Sequence, residues 1–87
     1  MVGPFGSRGL EQYLVSYKPD STRAASEMAR LRELLPHVPG AQELNAYPNA
    51  ANPSHIVVEI PEAVGQSLIG EFGNHLFIEK NSLLKPA

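Results

Sequence analysis

The sequence predicts one small α+β domain whose elements follow the order β-α-β-β-α-β. Its 87 residues suit a single domain. Short segments rich in β-branched and aromatic residues alternate with two longer segments of helical periodicity. Clusters of Pro, Gly and Asn separate these segments, which is typical of turns. The composition, 43% hydrophobic and 18% charged, is that of a globular chain.

The first strand is predicted over residues 12–18, QYLVSYK, and ends at a Pro-Asp pair. Tyr13, Val15 and Tyr17 share one face of this strand. Leu14 and Ser16 share the other face, because successive side chains of a strand alternate. Both faces carry apolar groups, so the sequence leaves open which of them meets the helices.

A helix follows, and one of Asp20, Ser21 and Thr22 is expected to cap its free backbone N–H groups. The helix is predicted to run to about residue 35. A 3-4 spacing predicts an apolar stripe formed by Ala24, Met28, Leu31 and Leu35. Charged residues expected to lie largely off this stripe are Arg23, Glu27, Arg30 and Glu33.

Two strands are predicted in the middle of the chain. Residues 41–47 form the weaker one, with Leu44 as the clearest inward-pointing side chain. A turn rich in Pro and Asn occupies residues 48–54. The strongest strand, HIVVEI, follows at residues 55–60, and its β-branched run suits a central position in a sheet.

The second helix is predicted to begin at Pro61, whose missing N–H is not needed in a first turn. Its buried line consists of Val64, Leu68 and Phe72. Gly65 and Gly70 each weaken the helix by about 1 kcal/mol relative to Ala, unless they permit close packing on the sheet. A left-handed stop is expected at Gly73-Asn74, before a last strand over residues 75–79.

Each half of the chain is thus a strand, a helix and a strand. Two such halves pair into the ferredoxin-like arrangement, a four-stranded antiparallel sheet with both helices on one face. The other face of the sheet is then open or covered by a partner. We expect a flexible leader over residues 1–11, the ferredoxin-like domain over 12–80 and an extended tail over 81–87.

Several classes of function are disfavoured by composition. Without cysteine the chain has neither disulfides nor thiolate metal sites. A net charge of −2 with scattered Lys and Arg argues against nucleic-acid binding. No stretch is long enough to cross a membrane, and the leader does not resemble a signal peptide. Localisation stays open, because a cytoplasmic protein and an exported protein whose signal has been removed fit the sequence equally well.

No pattern of catalytic or cofactor-binding residues is present. The histidines have no recognisable metal-ligand spacing, and no serine sits in a Gly-x-Ser-x-Gly turn. We therefore expect no enzyme, no catalytic residue, no metal and no cofactor. Tyr13 and Tyr17 could stack on RNA bases in a fold of this order, but core or interface tyrosines are the better interpretation.

Two short motifs resemble those of subtilisin propeptides. Residues 13–18, YLVSYK, are similar to their opening strand, an aromatic-aliphatic-Val-small-aromatic-Lys run. Phe77-Ile78-Glu79 resembles their closing strand, where an aromatic-Val-Glu run precedes the maturation site. The resemblance covers residues 12–87. It implies an intramolecular chaperone and tight inhibitor of a subtilisin-like serine protease, whose open sheet face packs on the protease.

The resemblance also implies a role for the tail, which would lie extended in the substrate cleft as a cleavage product does. Ala87 would occupy the pocket before the scissile bond, with Pro86 and Lys85 behind it and Leu84 in an apolar pocket. An extended tail can add to a protease edge by main-chain hydrogen bonds while alternate side chains fill pockets. Alternatively, Leu83 and Leu84 fold back on the domain's own core.

Two features depart from the family pattern. The turn over residues 48–54 carries no acidic residue to cap protease helices, although Asn49 or Asn52 could cap instead. No protease domain follows Ala87, which leaves a stand-alone inhibitor and an excised piece as alternatives. The second hypothesis is a non-catalytic interaction module that forms a homodimer or binds another protein. Its interface would be the sheet face carrying Tyr13, Val15 and Tyr17, or the opposite face.

Overall fold

The computed structural model describes residues 10–80 and confirms the predicted order of elements. The strands and helices are β1 (Leu10–Tyr17), α1 (Ala24–Leu34), β2 (Gln42–Tyr47), β3 (His55–Pro61), α2 (Glu62–Phe72) and β4 (Leu76–Lys80). A 3-10 turn, Leu35–His37, follows α1. Because β1 begins two residues before the predicted start, Leu10 and Glu11 belong to the sheet and not to the leader. The tail over residues 81–87 lies outside the described residues.

The four strands form one antiparallel sheet in the order β2-β3-β1-β4. With its two helices this is the predicted ferredoxin-like topology. The central strands are β1 and β3, as the β-branched run of β3 suggested. Val15 of β1 aligns with Ile56 of β3 on one side and with Ile78 of β4 on the other.

One face of the sheet packs against both helices and forms the core. Tyr13 and Val15, only 1% and 0% exposed, belong to it, which answers the question that the sequence left open for β1. The predicted helical stripes are confirmed, since their residues join the same buried cluster. The helical members of the cluster are Ala24, Met28, Leu31, Leu35, Leu68 and Phe72, with Val64 partly buried beside them.

The first turn of α1 differs from the prediction. The residue that precedes the helix is Arg23, and no side chain caps it. Ser21 Oγ accepts a hydrogen bond from the Arg23 N–H at 3.2 Å, but Arg23 precedes the helix, so this bond does not cap the N–H groups of its first turn. Glu27 was expected off the apolar stripe, but it is only 5% exposed. Its carboxylate is tolerated there because Arg30 Nη1 donates to Glu27 Oε1 at 2.9 Å.

Two further expectations are wrong for local backbone reasons. Leu44 is 42% exposed and does not point into the core, because the register of β2 on β3 shifts between Glu43 and Asn45. Such a bulge breaks the alternation from which its inward orientation was predicted. Gly73 has φ of −64°, so α2 ends without a left-handed residue. The left-handed glycine of the described chain is Gly40, at φ 82° before β2.

A close contact between α2 and the sheet involves Tyr13 and Gly65. A Cβ atom at Gly65 would overlap the Tyr13 ring, so Gly65 does permit close packing, whereas Gly70 has open space around it. Tyr13 Oη is buried, and within residues 10–80 it makes no hydrogen bond of good geometry. Burial raises the pKa of the Tyr13 phenol, because the low-dielectric core disfavours the phenolate, although the nearby Gln66 side chain acts weakly to lower this pKa.

This shift makes stability depend on pH in the alkaline range. A free tyrosine titrates near pH 10. Above that pH the unfolded chain loses a proton that folded Tyr13 retains, so the free energy of unfolding should fall as the pH rises further. We expect Tyr13→Phe to flatten this alkaline decline and to leave stability at pH 7 nearly unchanged, since the lost hydroxyl makes no hydrogen bond of good geometry within residues 10–80. Urea denaturation between about pH 7 and 11 measures the free energy of unfolding of both proteins. If this free energy falls equally with pH in the wild type and in Tyr13→Phe, the prediction is wrong.

Candidate interaction surface

The face of the sheet opposite the helices is the candidate functional site. Alternation along each strand assigns its side chains, and none of them is buried. We call this surface the open face, and its residues are Gln12, Leu14, Ser16, Asn45, Tyr47, His55, Val57, Glu59, Phe77 and Glu79. No described helix covers these side chains, so they are available to a partner.

An apolar and aromatic band crosses the open face. The strand register aligns Tyr47, His55, Ser16 and Phe77 in one row across all four strands. The next row brings Leu14 beside Val57. The Tyr47 and His55 rings stack with centroids 5.2 Å apart and planes 5° apart. Phe77 and Tyr47 are 40% and 39% exposed, so the band presents large apolar surface to solvent.

Charges lie at the two ends of this band. Lys18 follows β1 at the end nearer Phe77, and its Nζ lies 5.5 Å from the Phe77 ring centroid. Glu59 lies beyond the band at the other end, aligned with Gln12 of β1, and Glu79 lies at the β4 edge of the row that contains Leu14 and Val57. Within residues 10–80, neither glutamate nor Lys18 takes part in an ion pair. The open face therefore has one basic end, one acidic end and an apolar middle.

The predicted interface residues lie partly elsewhere. Tyr13 and Val15 are in the core, and Tyr17 packs partly buried against it, so the face available for an interface is the opposite one. Asn49 and Asn52 are exposed in the loop that joins β2 to β3. Asn49 Oδ1 accepts the Asn52 backbone N–H at 2.8 Å and thus already closes the loop's own turn. The proposed tail residues, Leu84, Lys85, Pro86 and Ala87, fall outside the described residues.

Sequence reasoning did not single out the residues of the apolar band. In the sequence, Leu14 falls on the second face of the first strand, and Val57 lies within an apolar run with no visible alternation. Phe77 stands out only as part of the closing-strand motif. The signal for this surface is that Leu14, Val57 and Phe77 are apolar and lie on the same face of the sheet. That relation can be recognised only once the strand register is known.

At least two concave regions of the described chain lie away from the open face. A cleft of about 540 Å³ between α1 and β2 is lined by Ala29, Arg32, Glu33, Leu35, Pro36, Ala41, Gln42 and Glu43. Arg32 donates twice to Glu43, at 2.8 and 3.1 Å, and this hydrogen bonding raises the pKa of Arg32. The pair neutralises itself, so the cleft offers a ligand no unpaired charge from these two residues.

The second concave region, about 250 Å³, contains a serine and a histidine. Ser21 Oγ lies 2.8 Å from His75 Nδ1. Asp20 also lines this region but does not hydrogen-bond His75 in the described chain. A serine nucleophile requires a base that a third group orients, and no such group is present among residues 10–80.

Among residues 10–80, no group of three His, Asp or Glu side chains could hold a metal ion. No helix in that range has the length and apolar character needed to cross a membrane. Comparisons with protein-family models, curated proteins and solved structures found no match to this chain.

Proposed function

We propose that the chain is a propeptide-like inhibitor of a subtilisin-like serine protease, with residues 84–87 bound in the substrate cleft. The observation that carries the proposal is a ferredoxin-like body with an uncovered sheet face, whose edge strand β4 leads at Lys80 into the tail. The two motifs that resemble subtilisin propeptides lie on neighbouring strands, β1 and β4. An intramolecular-chaperone role would use the same surfaces on an unfolded protease.

The folded domain holds the residue that precedes the tail in a fixed position. β4 pairs with β1 up to Lys80, which aligns with Tyr13. Lys80 Nζ donates to Glu62 Oε2 in the first turn of α2 at 3.1 Å, and this contact raises the pKa of Lys80. A peptide that leaves a rigid body loses less conformational freedom on binding than a free peptide does. The folded domain would therefore increase the affinity of a tail that contacts the protease through only a few residues.

In this proposal the tail and the open face bind different parts of the protease. Leu84 would fill an apolar pocket, which is worth about 1.5–3 kcal/mol if its side chain is fully enclosed. Pro86 would stiffen the tail in an extended form. The open face would pack on the protease surface through the apolar band of Leu14, Val57 and Phe77. Cleavage would be blocked because the tail occupies the cleft.

Inhibition assays with truncated protein test the proposal. Removal of residues 84–87 should weaken inhibition of subtilisin-like proteases by about 100-fold or more, since it removes both main-chain pairing and the Leu84 contact. Leu84→Ala should cause most of this loss. Lys85→Ala is the matched control, because successive side chains of an extended tail alternate, so that Lys85 would point away from the pocket that Leu84 fills.

Circular dichroism should show that the truncated domain remains folded. The proposal fails if the truncated chain inhibits as well as the whole chain does. It also fails if the whole chain, at micromolar concentration, inhibits none of a panel of subtilisin-like proteases. The remaining alternative, a non-catalytic interaction module, then gains support from the exposed apolar band.

A further inference from the structure

We infer that the open face binds the open face of a second copy of this chain, forming a two-fold symmetric dimer. The inference starts from the combination of an apolar band with charges of opposite sign at its two ends. It does not depend on the inhibitor proposal, because it uses only residues 12–79 and no part of the tail.

Most members of the apolar band are neighbours across the sheet. Leu14 lies directly opposite Val57, and Phe77 lies diagonally from Leu14, with the polar Ser16 between Phe77 and His55. Phe77 of β4, Leu14 of β1 and Val57 of β3 lie on three adjacent strands, about 4.8 Å apart from one strand to the next. Tyr47 and the His55 ring stacked on it extend the band to β2. Exposed apolar surface of this kind marks interaction sites in soluble proteins.

The charges select a copy of the same chain as the partner. A two-fold axis lying across the strands reverses the strand direction between the two copies. The basic end of one face, at Lys18, then meets the acidic end of the other, at Glu59 and Glu79. The same pairing occurs twice by symmetry, while the apolar bands meet in the middle. A nucleic acid would instead meet two unpaired carboxylates, which repel its phosphates.

The size of the open face sets the expected strength of the dimer. Four strands about 4.8 Å apart, with about 3.3 Å per residue along each, give a footprint of roughly 20 by 20 Å. The two copies would together bury about 800 Å², which is less than a stable specific interface buries and is typical of weak, transient association. We therefore expect a dimer that forms in the micromolar range and dissociates on dilution.

Reversal of the charges at the two ends of the open face tests whether these ends pair across the two-fold axis of the dimer. In Lys18→Glu both ends of the face become acidic, and in the double variant Glu59→Lys, Glu79→Lys both ends become basic. Each variant alone would oppose like charges at both ends of the dimer. An equimolar mixture of the two would again pair opposite charges at both ends, because each protein supplies one sign.

Sedimentation equilibrium of the full chain measures the outcome. The wild type should dimerise with a micromolar dissociation constant, and each variant alone should dimerise about tenfold more weakly or worse. The mixture should recover dimers of wild-type strength as a heterodimer. Glu33→Lys, an exposed charge reversal on α1 away from the open face, is the control and should dimerise as the wild type does.

Thermal unfolding of each variant checks that the reversals leave the domain folded. A wild type that stays monomeric at several hundred micromolar (~10⁻⁴ M) overturns the inference. So does a dimer of Lys18→Glu, or of the double variant Glu59→Lys, Glu79→Lys, that is as strong as the wild-type dimer. A mixture in which no heterodimer forms also overturns it, because it would show that the two charged ends do not meet.

Discussion

Phe72→Ala is expected to lower the free energy of unfolding by about 3–5 kcal/mol, the usual loss when a buried aromatic ring is removed. Phe72 is only 1% exposed and lies at the end of α2 in the core cluster of the described residues. A chain of 87 residues has a total stability of about 4–13 kcal/mol. The substitution would therefore remove a large part of that stability, and urea denaturation followed by circular dichroism measures it.

The position of Phe72 adds a second reason for this loss. The Arg30 guanidinium of α1 lies over the Phe72 ring, 5.1 Å from its centroid. Arg30 also donates to Glu27 and to Glu71, at 2.9 and 3.2 Å. Removal of the ring would loosen the side chain that neutralises the buried Glu27 carboxylate and connects the two helices. Because Arg30 is more than half exposed, we expect this part of the loss to be small.

Phe77→Ala is the matched control, since it removes the same side chain from the open face. Phe77 is 40% exposed, so its replacement should cost about 1 kcal/mol or less. It should instead weaken the dimer inferred above. Equal losses of stability in the two variants would contradict the division of the sheet into a buried and an open face.

The order of elements and most of the core could be predicted from sequence because strong periodic patterns encode them. The stripe of Ala24, Met28 and Leu31 and the line of Leu68 and Phe72 repeat at helical spacing, and both are buried. For β1 the pattern was insufficient, because Leu14 and Val15 are both apolar and alternation alone does not rank two apolar faces. Only the position of the helices decides that Val15 is inside.

The remaining errors concern features that depend on distant residues or on local backbone geometry. Burial of Glu27 depends on Arg30, which satisfies its charge across one helical turn. Exposure of Leu44 depends on a bulge that no sequence signal marked. The open face depends on register across four strands, since Phe77, Leu14 and Val57 come from distant parts of the chain. A pattern read along one segment contains none of this information.

Gly65→Ala is expected to destabilise the domain, although helix propensity alone predicts the opposite. Alanine is favoured over glycine inside a helix by about 1 kcal/mol. At Gly65, however, the new methyl group would overlap Cε1, Cζ and Oη of the Tyr13 ring. Tyr13 is fixed in a central strand and only 1% exposed, so it has little room to move. Overpacking of this kind costs about 1–3 kcal/mol, which outweighs the gain in propensity.

Gly70→Ala gives the matched comparison within the same helix. No atom beyond its own helical neighbours lies within 4 Å of a Cβ placed at Gly70, so only the propensity term applies there. We expect Gly70→Ala to stabilise the domain by about 1 kcal/mol, and Gly65→Ala to destabilise it. Urea denaturation of both variants measures the two signs. If both substitutions stabilise the domain, Tyr13 does not press against α2 at Gly65, and the packing of α2 on the sheet described above is wrong.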